Sequence, residues 1–253
     1  MLASASMKFR ITGMDKKVFK VFVDFDGTIT KKDVGEELFI EFGDREFSKK
    51  LIEDWNKDFV EPRKGWKALC ESVEVADERK MKDFLGTIEV EESFKKFVSY
   101  CKENGFELKI VSDGFDFYIR TILEKENLTE IEFSSNVLNF IDNKLQPVFP
   151  NSAEDCKCSA NCKRNYVLKH SSDDDYTVYI GDGVSDRCPI QFCDFIFAKD
   201  SLLKFCEVNR ITYFPYNNFD DVTKRIDELK NKKRLKKRHQ ALLKRKEVYT
   251  QEA

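Results

Sequence analysis

The sequence has 253 residues, of which 41% are hydrophobic and 36% charged, and its formal net charge is −2. So much apolar content excludes an intrinsically disordered protein and indicates a soluble globular protein of one or two domains. No stretch approaches the roughly 18 uninterrupted apolar residues of a membrane helix. Residues 1–10 also lack the apolar block of a secretory signal, so we expect a cytoplasmic protein.

Residues 18–23 form a short run rich in valine and phenylalanine that ends abruptly at Asp24. Asp26 and a glycine turn follow, so the pattern predicts a buried strand that delivers two carboxylates at its C-terminal end. From residue 31 to about residue 86, apolar residues recur at spacings of three and four among dense charge. That spacing predicts a helical insertion directly after the first strand.

The second half of the chain alternates between helical and strand patterns. Such alternation implies an α/β fold with a mostly parallel sheet and right-handed crossovers. Ligands bind such sheets at the carboxyl ends of strands, which is where the polar triplets of this sequence fall. We predict helices at 94–101, 117–126 and 165–170, strands at 106–111, 176–180 and 194–198, and a hairpin within 131–149 turning at Asp142–Asn143.

Four carboxylates follow predicted strands and could share one cation. Asp24 and Asp26 lie two residues apart, and close carboxylates repel each other unless a cation lies between them. Asp182 and Asp186, after a later strand, would supply further oxygen ligands of the kind that Mg²⁺ prefers. Taken alone, the Asp-x-Asp-Gly run could equally be a polar turn.

The order of the polar segments along the chain distinguishes these alternatives. The run Asp24-Phe25-Asp26-Gly27-Thr28 comes first, followed by Ser112, then Lys163, and then residues 181–186. From about residue 18 to residue 216 the chain resembles the phosphatases of the haloacid dehalogenase superfamily, in the phosphoserine-phosphatase-like subfamily. The resemblance implies a three-layer Rossmann-like core with a small helical cap inserted after the first strand.

The resemblance also implies a role for each motif residue. Asp24 would be the nucleophile that forms an aspartyl-phosphate, and Asp26 the general acid and base. Mg²⁺ would be held by Asp24, the Asp26 main chain and Asp182, with Asp186 as a ligand or support. The residues that would hold the substrate phosphate are Thr28, Ser112, Asp113, Gly114 and Lys163.

The same resemblance divides the chain into segments. Residues 1–14 would be an N-terminal extension, and residues 15–30 and 88–221 the catalytic core. Residues 31–87 would form the cap that selects the substrate. Residues 222–253 would form a basic C-terminal helix or tail, with twelve Lys and Arg against four Asp and Glu.

Two positions disfavour phosphoserine as the substrate. Asp33 stands where phosphoserine phosphatases usually carry glutamate, and Ser185 stands where they usually carry asparagine. The expected partner is therefore another small phosphorylated metabolite, with phosphoserine kept as an alternative. A phosphometabolite-binding protein without catalysis is a further alternative, because fold alone does not prove function.

The segment just before Lys163 is similar to segments of two phosphatase groups. One group acts on 2-hydroxy-3-keto-5-methylthiopentenyl-1-phosphate in methionine salvage, and the other on phosphoethanolamine, phosphocholine or pyridoxal phosphate. Residues 27–30 and Asp33 favour the first group, whereas residues 112–114 and 182–189 favour the second. We choose the first group and retain the second as the alternative.

Eight cysteines in a chain without a recognisable export signal indicate free thiols in a reducing compartment. Three of them cluster before the catalytic lysine: Cys156, Cys158 and Cys162. They could be packed thiols that stiffen the loop, or three ligands of a zinc ion with Cys188, Cys193 or water as the fourth.

The basic C-terminal segment could suggest a nucleic-acid or membrane partner. No aromatic residues interleave its basic residues as binding to single strands would require, and the remainder of the chain is acidic. We therefore expect no nucleic acid partner and a solvated helix here, in a protein that is a monomer or a homodimer.

Overall fold

A computed structural model describes residues 17–251; the predicted extension at residues 1–14 lies outside the described residues. Within that range seven strands form one sheet in the order β4-β3-β2-β1-β5-β6-β7. All neighbouring strands are parallel except the antiparallel pair β3–β4. The strands are β1 (Phe19–Val23), β2 (Glu107–Phe115), β3 (Phe133–Ile141), β4 (Lys144–Val148), β5 (Tyr176–Gly181), β6 (Phe195–Ala198) and β7 (Phe214–Pro215).

Helices cover both faces of the sheet, which confirms the predicted α/β fold. Phe19, Val21 and Val23 of β1 belong to the larger hydrophobic cluster, and Phe22 belongs to a second cluster on the opposite face. The alternation follows from the two-residue period of a strand. The helices are α1 (Val34–Phe42), α2 (Arg45–Asn56), α3 (Pro62–Glu71), α4 (Glu78–Leu85), α5 (Phe94–Asn104), α6 (Asp116–Lys125), α7 (Lys163–Lys169), α8 (Asp200–Val208), α9 (Phe219–Lys230) and α10 (His239–Gln251).

The register of β1 determines where the functional residues meet. Val23 lies opposite Ile110 of β2 on one side and Ile180 of β5 on the other. Because the three strands are parallel, the residues just beyond these paired positions lie at the same edge of the sheet. Asp24, Ser112 and Asp182 therefore come out next to one another.

Helices α1 to α4 occupy the stretch predicted as a helical insertion. Each begins at an acidic residue whose carboxylate accepts backbone N–H bonds in the first turn: Asp33, Asp44, Glu61 and Asp77. Such caps satisfy donors that the helix itself leaves unpaired. The Trp66 ring of α3 packs 4.8 Å from the Phe115 ring, centroid to centroid, which joins the insertion to the end of β2. That the insertion acts as a cap stays a prediction.

The backbone conformation explains two chain reversals, of which the hairpin turn was predicted from the sequence. Helix α5 ends at Gly105, which adopts a left-handed conformation with φ 67°, the usual reason for glycine after a helix. The hairpin between β3 and β4 turns at Asp142 and Asn143, both with positive φ, as a two-residue hairpin turn requires. Strand β7 and helix α8 were not predicted.

The basic C-terminal segment is more firmly attached than a solvated helix would be. Ile226 and Leu229 of α9 are buried in the larger hydrophobic cluster. Arg245 of α10 is only 3% exposed, and its guanidinium donates to the Phe192 carbonyl at 2.9 Å and to Ser171 Oγ at 2.7 Å. Among residues 17–251, no helix combines the length and apolar character needed to cross a bilayer.

Candidate active site

The centre of the candidate site is a buried ion-pair group at the end of β1. Lys163 Nζ donates to Asp24 Oδ1 at 2.7 Å and to Asp186 Oδ1 at 2.8 Å, and the lysine side chain is fully buried. Burial alone lowers the pKa of Lys163, but the charges of Asp186 and Asp24 outweigh burial and raise that pKa. The lysine is therefore held as a cation between two carboxylates.

Three carboxylates gather around this lysine. Asp24, Asp182 and Asp186 each offer an oxygen, and these oxygens all lie within 4.8 Å of one another. Burial, followed by the charge of Asp186, raises the pKa of Asp24 well above its ordinary value and raises that of Asp182 to about 7. The carboxylates repel one another, and an all-oxygen donor set of this kind suits Mg²⁺.

Asp186 differs from the other two carboxylates because both of its oxygens are already hydrogen-bonded. Its Oδ2 accepts from the backbone N–H groups of Asp182 and Gly183 at 3.0 Å each. Its Oδ1 accepts from Tyr179 Oη at 2.7 Å as well as from Lys163. These bonds fix Asp186 in one position, from which it orients the lysine.

Asp26 lies beside Asp24 in a separate hydrogen-bond network. Its Oδ1 accepts from Val34 N at 3.1 Å, and its Oδ2 accepts from Ser112 Oγ and Tyr118 Oη at 3.0 Å each. Burial raises the pKa of Asp26 above its ordinary value, which is the direction that favours a proton donor. The sequence patterns did not identify Tyr118, because a tyrosine inside a helical pattern resembles an ordinary core residue.

Glycine is required at two positions near these carboxylates, because a side chain there would collide with a neighbouring group of the site. A Cβ at Gly114 would lie 1.3 Å from Tyr118 Oη, and a Cβ at Gly27 would lie 2.7 Å from Asp182 Oδ2. Gly27 also has φ 71°, a conformation that other residues rarely adopt. Any larger residue at either position would displace a hydrogen-bonded group of the site.

Two predicted phosphate-binding side chains are engaged with the protein itself. Thr28 Oγ1 donates to Asp182 Oδ1 at 2.5 Å and lies 3.4 Å from Tyr216 Oη. The Asp113 carboxylate accepts from the backbone N–H groups of Ala160 and Asn161 at 2.6 and 2.9 Å. Asp113 thereby anchors the loop before Lys163, a role that only the fold reveals.

A cavity of about 480 Å³ opens above the carboxylates. The insertion contributes apolar and acidic residues to its lining, and Lys199 also lines it. The sequence singled out Asp33 of the acidic wall but none of the apolar wall, because aromatic residues at helical spacing are usually core. The apolar wall consists of Ile52, Trp55, Trp66 and Leu69, and the acidic wall includes Asp33 and Glu36.

The three clustered cysteines lie in the loop that precedes α7. Cys156 and Cys162 are buried, whereas Cys158 is half-buried and lines the cavity. Neither histidine contributes to the site. His170 stacks on Tyr166 with ring centroids 4.2 Å apart, and His239 is exposed.

The sequence matches the protein family described as Putative Phosphatase over residues 19–205. The chain is 29% identical over 213 residues to a 2-hydroxy-3-keto-5-methylthiopentenyl-1-phosphate phosphatase of Bacillus mycoides, covering 83% of this chain and 96% of that one. It is 30% identical to the enzyme of the same name from Geobacillus thermodenitrificans, covering 85% and 98%. It is also 29% identical to the Pdp3-interacting factor 1 of Schizosaccharomyces pombe, covering 85% and 97%.

Solved structures of phosphoserine phosphatases share the fold. A phospho-aspartyl intermediate analogue of phosphoserine phosphatase superposes with a TM-score of 0.66 at 20% identity, covering 83% of this chain and 99% of that one. The phosphoserine phosphatase of T. onnurineus in complex with NDSB-201 gives 0.63 at 18% identity, covering 88% and 97%. At these identities the likeness establishes the fold alone.

The buried carboxyl of Asp113 predicts a dependence of stability on pH. Burial raises the pKa of Asp113 to about 7 in the native protein, whereas an unfolded aspartate titrates at about 3.9. Between these values folding takes up a proton, so the contribution of Asp113 to the free energy of unfolding falls as pH rises. We expect Asp113→Asn to flatten the decline in stability between pH 5 and pH 7.5, measured by urea unfolding.

Asparagine keeps a side-chain oxygen for the two backbone donors but cannot ionise. Asp220→Asn, at an exposed position of α9, serves as the matched control and should leave the wild-type pH dependence intact. An Asp113→Asn curve parallel to wild type would contradict the prediction.

Proposed function

The chain belongs to this phosphatase family of the haloacid dehalogenase superfamily and is a phosphomonoester hydrolase; we propose that it acts through an aspartyl-phosphate formed on Asp24. The observation that carries the proposal is the group of Asp24, Asp182 and Asp186 around the buried Lys163. Substrate phosphate would enter from the cavity, whose floor includes Asp24 and Asp182.

The reaction divides into two displacements. A carboxylate oxygen of Asp24 attacks phosphorus while the bond to the leaving oxygen breaks, and Asp26 gives its proton to that oxygen. Water then attacks the phosphorus of the aspartyl-phosphate while Asp26 takes a proton from that water. The bond between phosphorus and the Asp24 oxygen breaks, so that inorganic phosphate leaves and the Asp24 carboxylate is restored. One residue serves as acid and then as base, as a two-step displacement requires.

The neighbours of Asp26 support this division of roles. Ser112 and Tyr118 hold its Oδ2 and the backbone N–H of Val34 holds its Oδ1, so the carboxyl is fixed in orientation. Lys163 orients Asp24 and adds positive charge where phosphoryl oxygens would lie. Ser112 and Gly114 complete the proposed phosphate pocket, with Thr28 supporting Asp182.

Mg²⁺ is the proposed cofactor. Asp24, the main-chain carbonyl of Asp26 and Asp182 would hold it, and Asp186 would support the site through Lys163 and the backbone of residues 182–183. When bound, the ion offsets the negative charge of the carboxylates and of the phosphoryl group.

We propose 2-hydroxy-3-keto-5-methylthiopentenyl-1-phosphate as the substrate. The names of the relatives point to it, and the cavity supplies a suitable surface for its methylthio end. Ile52, Trp55 and Trp66 form an apolar, aromatic wall, and thioether sulfur packs favourably against aromatic rings. The insertion would then act as the cap that selects the substrate.

Phosphoethanolamine or phosphocholine is the second candidate, and the acidic wall favours it. Glu36 and the aromatic rings of Trp55 and Trp66 line the same cavity, and ammonium groups are attracted by carboxylates and aromatic faces. Asp33 would contribute less to the binding of an ammonium group, because its Oδ1 already accepts a hydrogen bond from Glu36 N at 2.8 Å as the cap of α1. Burial also raises the pKa of the Asp33 carboxyl. Pyridoxal phosphate and phosphoserine are weaker alternatives.

A cytoplasmic location and a monomeric or homodimeric state complete the proposal.

Replacement of the nucleophile tests the mechanism. We expect Asp24→Asn to lower the hydrolysis of p-nitrophenyl phosphate by about 10³-fold or more, because an amide oxygen is a poor nucleophile. The fold should persist, as judged by circular dichroism, since asparagine has nearly the same shape. Asp220→Asn should keep full activity; substantial turnover by Asp24→Asn would refute the role of Asp24.

Binding of Mg²⁺ should be measurable as an increase in thermal stability, independently of turnover. A ligand that binds only the native state stabilises it by about 2.7 kcal/mol at one hundred times its dissociation constant. We expect Mg²⁺ to raise the melting temperature of the wild type, and Asp182→Asn to lose most of that increase. Chelation of Mg²⁺ should abolish turnover. An equal increase in melting temperature for the wild type and for Asp182→Asn would show that Mg²⁺ binds at a site without Asp182.

A screen of small phosphorylated metabolites combined with two wall variants tests the substrate. If a methylthio substrate is preferred, Trp55→Ala should lower its kcat/KM by about tenfold or more through lost apolar contact. Glu36→Gln should then have little effect on it. If phosphoethanolamine is preferred, Glu36→Gln should cause the larger loss. Comparable losses for all substrates in both variants would show that neither wall selects the substrate.

A further inference from the structure

Thr28 and Tyr216 are two buried hydroxyl residues that lie beside the carboxylates but outside the cavity. Thr28 is 1% exposed and Tyr216 is 4% exposed, and neither is among the described residues that line the cavity above Asp24. The sequence predicts phosphate binding for Thr28 and assigns no role to Tyr216. Buried hydroxyl groups are normally hydrogen-bonded, so the partners of these two groups indicate what they do.

The hydroxyl of Thr28 is engaged with Asp182. Thr28 Oγ1 donates to Asp182 Oδ1 at 2.5 Å. A hydroxyl has only one proton to donate, and the oxygens of a phosphate dianion accept hydrogen bonds. As long as the bond to Asp182 persists, Thr28 has no proton left for a phosphate, so its side chain serves the carboxylate instead.

The orientation of Asp182 depends on this one bond. Within residues 17–251, the Asp182 carboxylate accepts a hydrogen bond only from Thr28, whereas the Asp186 carboxylate accepts four. The backbone of Asp182 is fixed, because its N–H donates to Asp186 Oδ2 and its carbonyl accepts from Leu202 N at 2.8 Å. The last torsion of an aspartate side chain is only broadly restricted, so the bond from Thr28 determines where the two Asp182 oxygens point.

Strand β7 brings Tyr216 to the same edge of the sheet. A row of register partners runs from Gly181 of β5 across β6 to Pro215 of β7, and Tyr216 is the next residue along the chain. The side chain of Tyr216 reaches back across the end of β6. Its Oη lies 3.3 Å from the Gly181 carbonyl oxygen and 3.4 Å from Thr28 Oγ1. Tyr216 thus contacts both the residue before Asp182 and the hydroxyl that holds Asp182.

The direction of the hydrogen bond between Tyr216 and Thr28 follows from the number of protons. The proton of Thr28 is engaged with Asp182, which as a carboxylate can only accept. The Tyr216 hydroxyl is therefore the donor to Thr28 Oγ1, and it shares its proton with the Gly181 carbonyl. Hydrogen bonds that follow one another in a buried site strengthen one another.

The ring of Tyr216 is held in place by its packing. The Lys199 ammonium lies 5.5 Å from the ring centroid, which is within the range of a cation–π contact. The ring of Phe219 lies 6.5 Å away, and Tyr216 belongs to the larger hydrophobic cluster. The hydroxyl therefore approaches Thr28 from a fixed position, and a phenylalanine ring would fit the same space without the hydroxyl.

We propose that Tyr216 is a positioning residue that acts through Thr28 on Asp182, the proposed Mg²⁺ ligand. This inference rests on the proposed function, because it takes Asp182 as a ligand of the ion. Tyr216 holds the Thr28 hydroxyl and Thr28 holds one oxygen of Asp182, so the carboxylate is oriented before Mg²⁺ binds. Removal of a group that orients a metal ligand typically weakens metal binding by about 10- to 100-fold.

The affinity for Mg²⁺, measured by calorimetry on the full chain, tests the proposal. Thr28→Val should raise the dissociation constant by about tenfold or more, whereas Thr28→Ser keeps the hydroxyl and should stay within about threefold of the wild type. Tyr216→Phe should raise it by about threefold or more, a smaller effect because the contacts of its hydroxyl are longer. Tyr213→Phe removes a hydroxyl that donates to Glu207 at 3.0 Å, and this matched control should bind Mg²⁺ like the wild type. Melting temperatures without Mg²⁺ report any loss of stability separately.

A double variant tests whether the two residues act in series. If Tyr216 acts through Thr28, Thr28→Val combined with Tyr216→Phe should bind Mg²⁺ no more weakly than Thr28→Val alone. Losses that add would overturn the inference, and so would an unchanged dissociation constant in Tyr216→Phe. Weaker inhibition of Thr28→Val by inorganic phosphate, with Mg²⁺ affinity unchanged, would assign Thr28 to the phosphate and overturn it as well.

Failure of the proposed function would give a different result. A wild type that does not bind Mg²⁺ would overturn the proposed cofactor and this inference together. Binding that is lost in Asp182→Asn but unchanged in Thr28→Val and Tyr216→Phe would support the proposed cofactor site and overturn this inference alone.

Discussion

The positive charge of Lys163 is buried, and the arrangement of the site depends on the two carboxylates that pair with it. An unpaired charge in this position would carry a desolvation cost of several kcal/mol. Asp24, directly after β1, and Asp186, in the turn that follows β5, supply the two opposite charges that offset this cost. Because Asp186 is itself fixed by Tyr179 and two backbone N–H groups, the lysine can occupy only one position. Asp24, the proposed nucleophile, is therefore oriented by the same ion pair that balances the buried charge of Lys163.

Several features of the fold and of the candidate site could be predicted from the sequence, because they depend on local patterns of residues. The strand before Asp24 and the turn at Asp142–Asn143 are set by neighbouring residues, so their prediction succeeded. The positions of Lys163 and Asp182 followed from motif order. Strand β7 has only two residues, which is too short for any periodic pattern to reveal.

The contacts that the sequence could not reveal join residues far apart in the chain. Tyr118 reaches Asp26 across 92 positions, and Asp113 holds the loop at residues 160–161 across 47 and 48 positions. Nothing in the local pattern distinguishes such a tyrosine from a core residue, or such an aspartate from a phosphate-binding one. Arg245 is similar: in a basic segment it resembles a solvated side chain, yet the fold buries it against the Phe192 carbonyl.

The insertion is attached to the core unevenly, and this bears on how substrate reaches Asp24. At one end, the ring of Trp66 packs between those of Phe39 and Phe115 at centroid distances of 5.9 and 4.8 Å. At the other end, Asp58 pairs with Arg187 at 2.7 Å, with Asp58 60% exposed. An ion pair whose carboxylate is largely exposed contributes only about 0–1 kcal/mol, whereas buried aromatic packing contributes more. On the proposal that the insertion acts as a cap, we expect opening to begin at Asp58, beside Cys188 and the turn that carries Asp186, while the aromatic end stays closed over the apolar wall. Substrate binding and the alignment of Lys163 with Asp24 and Asp186 would then be linked through the same short segment, residues 186–188.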